Sequence, residues 1–169
     1  METPQFEKES AENLVNSSDV AVNPENGLAI VVIKPDAFAK RDQIIKKIED
    51  TGLYIVKTVS KKLPDDFVIG TMYTDLPKSI EEETLRHFNT GQSEIILLKG
   101  GKNILQKIIS VTGGDTNPEK CDEKSIRYIF GEHFGRDLED GKTYYRNAVH
   151  RAKDPQEQKE DLDKFEHWL

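Results

Sequence analysis

Residues 28–33, Leu-Ala-Ile-Val-Val-Ile, form an unbroken apolar run rich in β-branched side chains. The run does not alternate, so a strand made from it has no polar face to offer to water. Such a segment is satisfied in the middle of a sheet that is covered on both sides. The chain must therefore supply packing elements above and below one central strand, and its 169 residues amount to about one domain.

The elements that could do this follow in order. Ile44, Ile45 and Ile48 share a helical face, with Asp42 placed to cap it and Gly52 placed to end it. Ile55, Val56, Lys57 and Val59 make a half-alternating strand. Short helices are expected around Asp66 to Tyr73 and Ser79 to Asn89, the second with Ile80, Thr84, Leu85 and Phe88 as its apolar stripe. Glu94 to Leu98 reads as a third strand, and Ile104, Leu105, Ile108 and Ile109 recur at helical spacing. Thr112 to Tyr145 is mixed and loop-like, interrupted by Gly113, Gly114, Gly131, Gly135 and Gly141; loops of this length are usually functional or disordered. Tyr145 to His150 reads as a fourth strand. Asp154 followed by Pro155 marks a helix start, with Leu162, Phe165 and Leu169 as its buried stripe. Strands and helices alternate four times. That order fits either a doubly wound parallel sheet or a split β-α-β sandwich with helices on one face of a mostly antiparallel sheet.

Residues 1–27 differ in character. They are rich in Glu, Ser, Asn and Pro without an apolar period, and are expected to form a disordered tail ahead of a domain over residues 28–169. Glu2, Glu7, Glu9, Glu12, Asp19 and Glu25 face Lys8 alone there, so most of the net charge of -7 sits in the tail. An acidic chain of this kind is no broad nucleic-acid coat. No run approaches the roughly 20 apolar residues of a membrane span, and the N-terminus has neither the basic nor the apolar region of a secretion signal. A cytoplasmic location is expected. Cys121 stands alone in a charged loop and is expected to be inert.

Several phosphate and metal signatures are excluded. Gly100-Gly101-Lys102 lacks the earlier glycine of a P-loop, where Ile96 stands, and the hydroxyl residue that should follow the lysine, where Asn103 stands. No dinucleotide-binding glycine pattern follows a strand. His87, His133, His150 and His167 are scattered, with no H-x-x-x-H pair; His87 and His167 read as surface groups.

What remains is an ordered set. Ile33-Lys34-Pro35-Asp36 lies at the exit of the first strand, Asp115-Thr116-Asn117-Pro118 opens the long loop, and Ser125-Ile126-Arg127 follows within it. Arg146-Asn147-Ala148-Val149-His150 forms the last strand. In this order and combination, from Leu28 to the C-terminus, the chain resembles the nucleoside diphosphate kinase family. The resemblance implies a ferredoxin-like α/β sandwich with a four-stranded antiparallel sheet. It also implies a ping-pong cycle in which a nucleoside triphosphate passes its terminal phosphate to His150 and a nucleoside diphosphate takes it away. An imidazole suits that role, because histidine with its ordinary pKa of about 6.5 offers an unprotonated nitrogen near neutral pH.

On the same resemblance, Asp161, eleven residues after His150, takes the place of a glutamate that orients the imidazole. Lys34 would face the transferred phosphate, Arg127 the remaining phosphates, Thr116 a phosphate oxygen and Asn147 the sugar hydroxyl, with Tyr73 beside the histidine. Mg2+ would arrive bridging the nucleotide's own phosphates. Nucleoside tri- and diphosphates are the implied partners, and a homo-hexamer or tetramer the implied assembly, with neither nucleic acid nor membrane involved. The chain also departs from the pattern. Lys78 stands for an arginine, Ile80 for the base-stacking aromatic and Lys107 for a second phosphate-binding arginine; lysine keeps the charge but loses the bidentate fork. Arg151-Ala152-Lys153-Asp154 replaces a G-S-D-like segment, and the stretch between Arg127 and Asn147 is about ten residues longer than the commoner form. These changes motivate an alternative, a catalytically weakened nucleotide-binding or interaction module of the same fold.

Overall fold

A computed structural model describes residues 27–169; the expected tail, Gly27 aside, lies outside the described residues. Strand β1 (Leu28–Ile33) is buried along its whole length, as its composition requires. It pairs antiparallel with β3 (Ser93–Lys99) on one side and with β6 (Val149–Arg151) on the other. Strand β2 (Tyr54–Lys61) pairs antiparallel with β3 and forms the sheet's edge, with a register shift between Ile55 and Lys57. The order is β2-β3-β1-β6, so the antiparallel sandwich is the correct one of the two architectures that the alternation allowed.

Both faces of the sheet are covered, not one. Ala29, Val31 and Ile33 join Ile96 and Leu98 beneath α1 (Arg41–Glu49), α4 (Ile104–Thr112) and α5 (Ile126–Phe130), which contribute Ile44, Ile48, Ile104, Ile108 and Ile126. Leu28, Ile30 and Val32 join Ile95 and Leu97 beneath α2 (Asp65–Val68), α3 (Lys78–Phe88) and α6 (Pro155–Phe165), through Phe67, Val68, Phe88, Leu162 and Phe165. Alternate β1 side chains thus enter two cores, each burial worth about 1.5–3 kcal/mol.

Local expectations fare unevenly. Asp42 does not cap α1: a 3-10 turn over Pro35–Lys40 carries the chain into the helix at Arg41, and Asp42 lies in its first turn, where a carboxylate favours the helix dipole. Helix α2 stops at Val68, well short of Tyr73, because Gly70 takes φ +110° and turns the chain into an Ile69–Tyr73 bridge. The fourth strand begins only at Val149. Inside the segment read as a loop, Tyr144 belongs to a two-stranded hairpin, β4 (Arg136–Asp137) and β5 (Thr143–Tyr144). Helix α6 starts as expected, with Asp154 accepting from the Glu157 amide at 2.9 Å. Gln158 then donates to the Leu28 carbonyl at 2.6 Å and ties the helix to β1.

Candidate active site

The chain enters β6 through a tight turn that is hydrogen-bonded to the end of β1. Ala148 has φ +72°, the only non-glycine residue with positive φ among the described residues. The Val149 amide donates to the Asn147 carbonyl across it at 2.8 Å, which closes a three-residue turn of a rare, strained type. The Lys34 amide donates to the Ala148 carbonyl at 2.8 Å. Side chains reinforce the junction. Lys34 Nζ donates to Asn147 Oδ1 at 2.9 Å, and Asn147 Nδ2 donates to the Thr116 carbonyl at 3.0 Å.

His150 follows in β6 opposite Val32, so its ring lies on the face covered by α6. Its Nε2 stands 2.9 Å from Asp161 Oδ2. A carboxylate can only accept, so this contact places the proton on Nε2 and leaves a lone pair on Nδ1. No protein hydrogen bond engages Nδ1 among the described residues. The Tyr73 ring meets the imidazole edge-on at 5.5 Å, and the Phe165 ring lies 6.5 Å from it at a tilt.

Two buried cations accompany this ring. Lys34 and Arg127 are each 7% exposed, and neither forms an ion pair among the described residues. Arg127 donates to the Asp115 carbonyl at 3.0 Å and to the Val149 carbonyl at 3.1 Å, while its buried Nε has no partner. Burial, together with repulsion from Arg127, pushes Lys34 down to about 8, partly offset by Asp36. Burial and the neighbouring Arg151 lower Arg127 to about 10, opposed by Cys121, Tyr73 and Asp115. Both remain protonated at neutral pH. Burial raises the Tyr73 hydroxyl, so that group stays neutral.

Lys34, Asn147 and Thr116 are thus joined by hydrogen bonds, His150 touches Asp161 and Tyr73, and Arg127 reaches the strand that carries His150 through the Val149 carbonyl. Lys78, Ile80 and Lys107 are not joined to them by any hydrogen bond or ion pair. Lys78 is exposed at the start of α3, Ile80 is half-buried two residues on, and Lys107 is exposed on α4 with its ammonium beside Gly52. Other residues escape the sequence reading. His87 is not a surface group; it is 0% exposed, bonded through Nε2 to Asp36 Oδ1 at 2.9 Å and through Nδ1 to the Tyr144 hydroxyl at 2.8 Å. The apolar periodicity of α3 gives no warning of this, because the partners lie 51 and 57 residues away. Arg151, noticed only as a replacement, is buried and donates to the Gly113 carbonyl at 2.7 Å and to Thr112 Oγ1 at 3.2 Å. His167 is exposed, as expected.

Comparison with known proteins places the chain in a family. Residues 27–166 match the family described as Nucleoside diphosphate kinase. The chain belongs to the nucleoside diphosphate kinase family. Among curated members, a nucleoside diphosphate kinase of Persephonella marina is 22% identical over 138 residues, covering 80% of this chain and 90% of that protein. A thioredoxin domain-containing protein 3 homolog of Ciona intestinalis is 25% identical over 158 residues. The match takes in 86% of this chain and spans only 22% of that relative's length. The fold is shared with an NDP kinase of Pyrobaculum aerophilum at TM-score 0.68 and 18% identity, covering 85% of this chain and 95% of that one. A Borrelia burgdorferi nucleoside-diphosphate kinase, solved with bound vanadate and ADP, superposes at TM-score 0.68 and 13% identity, covering 82% of this chain and 85% of that one. In this nucleoside diphosphate kinase fold the His150 group sits where β1, β6, α5 and α6 converge.

Proposed function

We propose that this chain transfers the terminal phosphate of a nucleoside triphosphate to a nucleoside diphosphate through His150. The observation that carries the reading is the Nε2 contact with Asp161. It leaves the Nδ1 lone pair available in a ring flanked by a junction that holds Lys34 and Arg127 without counter-ions. In the first half-reaction Nδ1 attacks the terminal phosphorus, the bond from that phosphorus to the bridging oxygen breaks, and the diphosphate leaves with the electron pair. In the second, a terminal oxygen of another diphosphate attacks the phosphoryl group and the N–P bond breaks. Phosphoryl transfer needs positioning and charge neutralisation. Lys34 and Arg127 neutralise, Asn147 fixes Lys34 and can face the sugar, Thr116 offers an exposed hydroxyl, and Asp161 steadies the positive charge of the phosphorylated ring.

Mg2+ fits this site as a companion of the nucleotide. Among the described residues no group of three or more His, Cys, Asp or Glu side chains is arranged to hold a metal ion, and the groups beside His150 are cations suited to phosphate. Bound to the substrate's phosphates, the ion would spread their charge during transfer.

The test is brief mixing with MgATP labelled on the terminal phosphate, under conditions that preserve acid-labile adducts. Label on His150, absent in His150→Asn and discharged by added nucleoside diphosphate, is the expected result. Nucleotide binding without label would replace this reading with that of a nucleotide-binding module, for which the lack of any hydrogen bond or ion pair between Lys78, Ile80 or Lys107 and the His150 group speaks. Assembly as a homo-hexamer or tetramer belongs to the same proposal and is read by sedimentation. Among the described residues no helix is long and apolar enough to cross a membrane; a cytoplasmic location remains part of the proposal.

A further inference from the structure

A second buried network lies behind the His150 group and has no part in the transfer steps above. Asp36 uses both carboxylate oxygens. Oδ2 accepts from the Ala148 amide at 3.0 Å, and Oδ1 meets His87 Nε2 at 2.9 Å. Beyond it, His87 Nδ1 meets the Tyr144 hydroxyl at 2.8 Å. The proton positions follow from the chemistry of the groups. Asp36 can only accept, so His87 carries its proton on Nε2; Nδ1 then accepts, and Tyr144 donates. Every donor points toward Asp36 along one line. Burial keeps His87 below the ordinary histidine value, and the charges of Lys34 and Arg146 act in the same direction against the pull of Asp36. Burial alone would raise Asp36, but the His87 N–H, the Lys34 ammonium and the Ala148 amide more than offset it and hold the carboxyl ionised.

We propose that Asp36, His87 and Tyr144 are a positioning relay that holds Ala148 in its left-handed turn and thereby sets the imidazole of His150 against Asp161. Three features carry this. The turn is strained for any residue with a Cβ, so something must hold it. The Ala148 amide has left the strand ladder, since β6 begins one residue later, and Asp36 is its acceptor. Tyr144 belongs to the β4–β5 hairpin, and it is 7% exposed. The hairpin is thereby connected through three buried side chains to the backbone that bears the proposed nucleophile. A buried histidine is costly unless both nitrogens are bonded; here both are, and the bonds converge on one backbone amide.

The catalytic consequence rests on the phosphotransfer reading of His150, while the structural claim does not, and the experiment separates them. The full chain is prepared as wild type, Asp36→Asn, Tyr144→Phe and Asp36→Asn/Ala148→Gly. Nitrogen-15 NMR reads the His87 tautomer and the exchange of the Ala148 amide; rapid mixing with MgATP reads the rate of His150 phosphorylation and its KM. The relay predicts an Nε2–H tautomer in wild type and an Ala148 amide that exchanges faster in both single variants. Phosphorylation should slow by about 10–100-fold in Asp36→Asn and by a smaller factor in Tyr144→Phe, with little change in KM. Adding Ala148→Gly to Asp36→Asn should restore much of the rate, because glycine adopts positive φ without an anchor. An Nδ1–H tautomer at His87, or unchanged Ala148 exchange and unchanged rate in Tyr144→Phe, overturns the relay even if Asp36→Asn does not fold. Wild type that takes no phosphate overturns the function proposed for His150 and leaves the NMR results to decide the relay.

Discussion

Lys34 Nζ donates to Asn147 Oδ1 at 2.9 Å, joining the end of β1 to the turn before β6 across 113 residues. Because the acceptor is neutral, the ammonium keeps its full charge while losing most of its water. Such a cation destabilises the empty fold and favours an incoming phosphate, so stability and activity are set against each other at one side chain.

Lys34→Met is therefore expected to stabilise the protein and disable the site. Lys34 titrates at about 8 in the folded protein against an ordinary 10.5. Between those values the unfolded chain binds more protons, so stability rises with pH across this window, and the penalty is at full strength below it. At pH 7 the variant should melt about 3 °C higher, the gain disappearing by pH 10.5, and His150 phosphorylation should fall by about 100-fold or more. A lower Tm than wild type at pH 7 would contradict the account.

Asp161→Asn keeps the shape but can present an amide N–H to His150 Nε2, favouring the tautomer with its proton on Nδ1. Phosphorylation should drop by about 10²–10⁴-fold, as expected when an orienting carboxylate is lost, with the fold unchanged by circular dichroism. Side-chain NMR would find the His150 proton moved between nitrogens; an unmoved proton with full activity counts against the assigned role.

At Arg127, replacement by lysine preserves charge but not the fork that reaches both the Asp115 and Val149 carbonyls. Urea unfolding should register a loss of about 1–2 kcal/mol. The KM for nucleotide should rise about 10-fold with a smaller change in turnover. Wild-type stability would mean that those carbonyls find other donors.

Phe165 is 0% exposed, packs edge-on against Phe67 at 5.2 Å and flanks His150. Its truncation to alanine should cost about 3–5 kcal/mol in equilibrium unfolding. It should also loosen α6, so that activity falls before the global transition on warming.

What could be read from the sequence was local or strictly ordered. The apolar run of β1, the stripe of α3 and the Asp154-Pro155 start of α6 need only nearest neighbours along the chain, and each is found in place. The motifs around Lys34, Thr116, Arg127 and His150 were readable because their order narrows the possibilities more than any one of them does. His87 was misread because its environment is made by residues far away in sequence. Similarly, Tyr145 to Ala148 has the composition of a strand, yet the Asp36 carboxylate and the turn at Ala148 delay β6 to Val149. The Arg136–Tyr144 hairpin is only two residues per strand, too short for an alternating pattern to register.

The two-sided enclosure of β1 restricts how this protein can drift. Val31 and Val32 touch different cores, so a methyl gained or lost at either is felt by a different set of helices, and neither position offers a face on which neutral change could accumulate. Variation should collect instead along β2, where Tyr54 is 63% exposed, and random mutagenesis selecting only for soluble product would leave residues 28–33 nearly untouched.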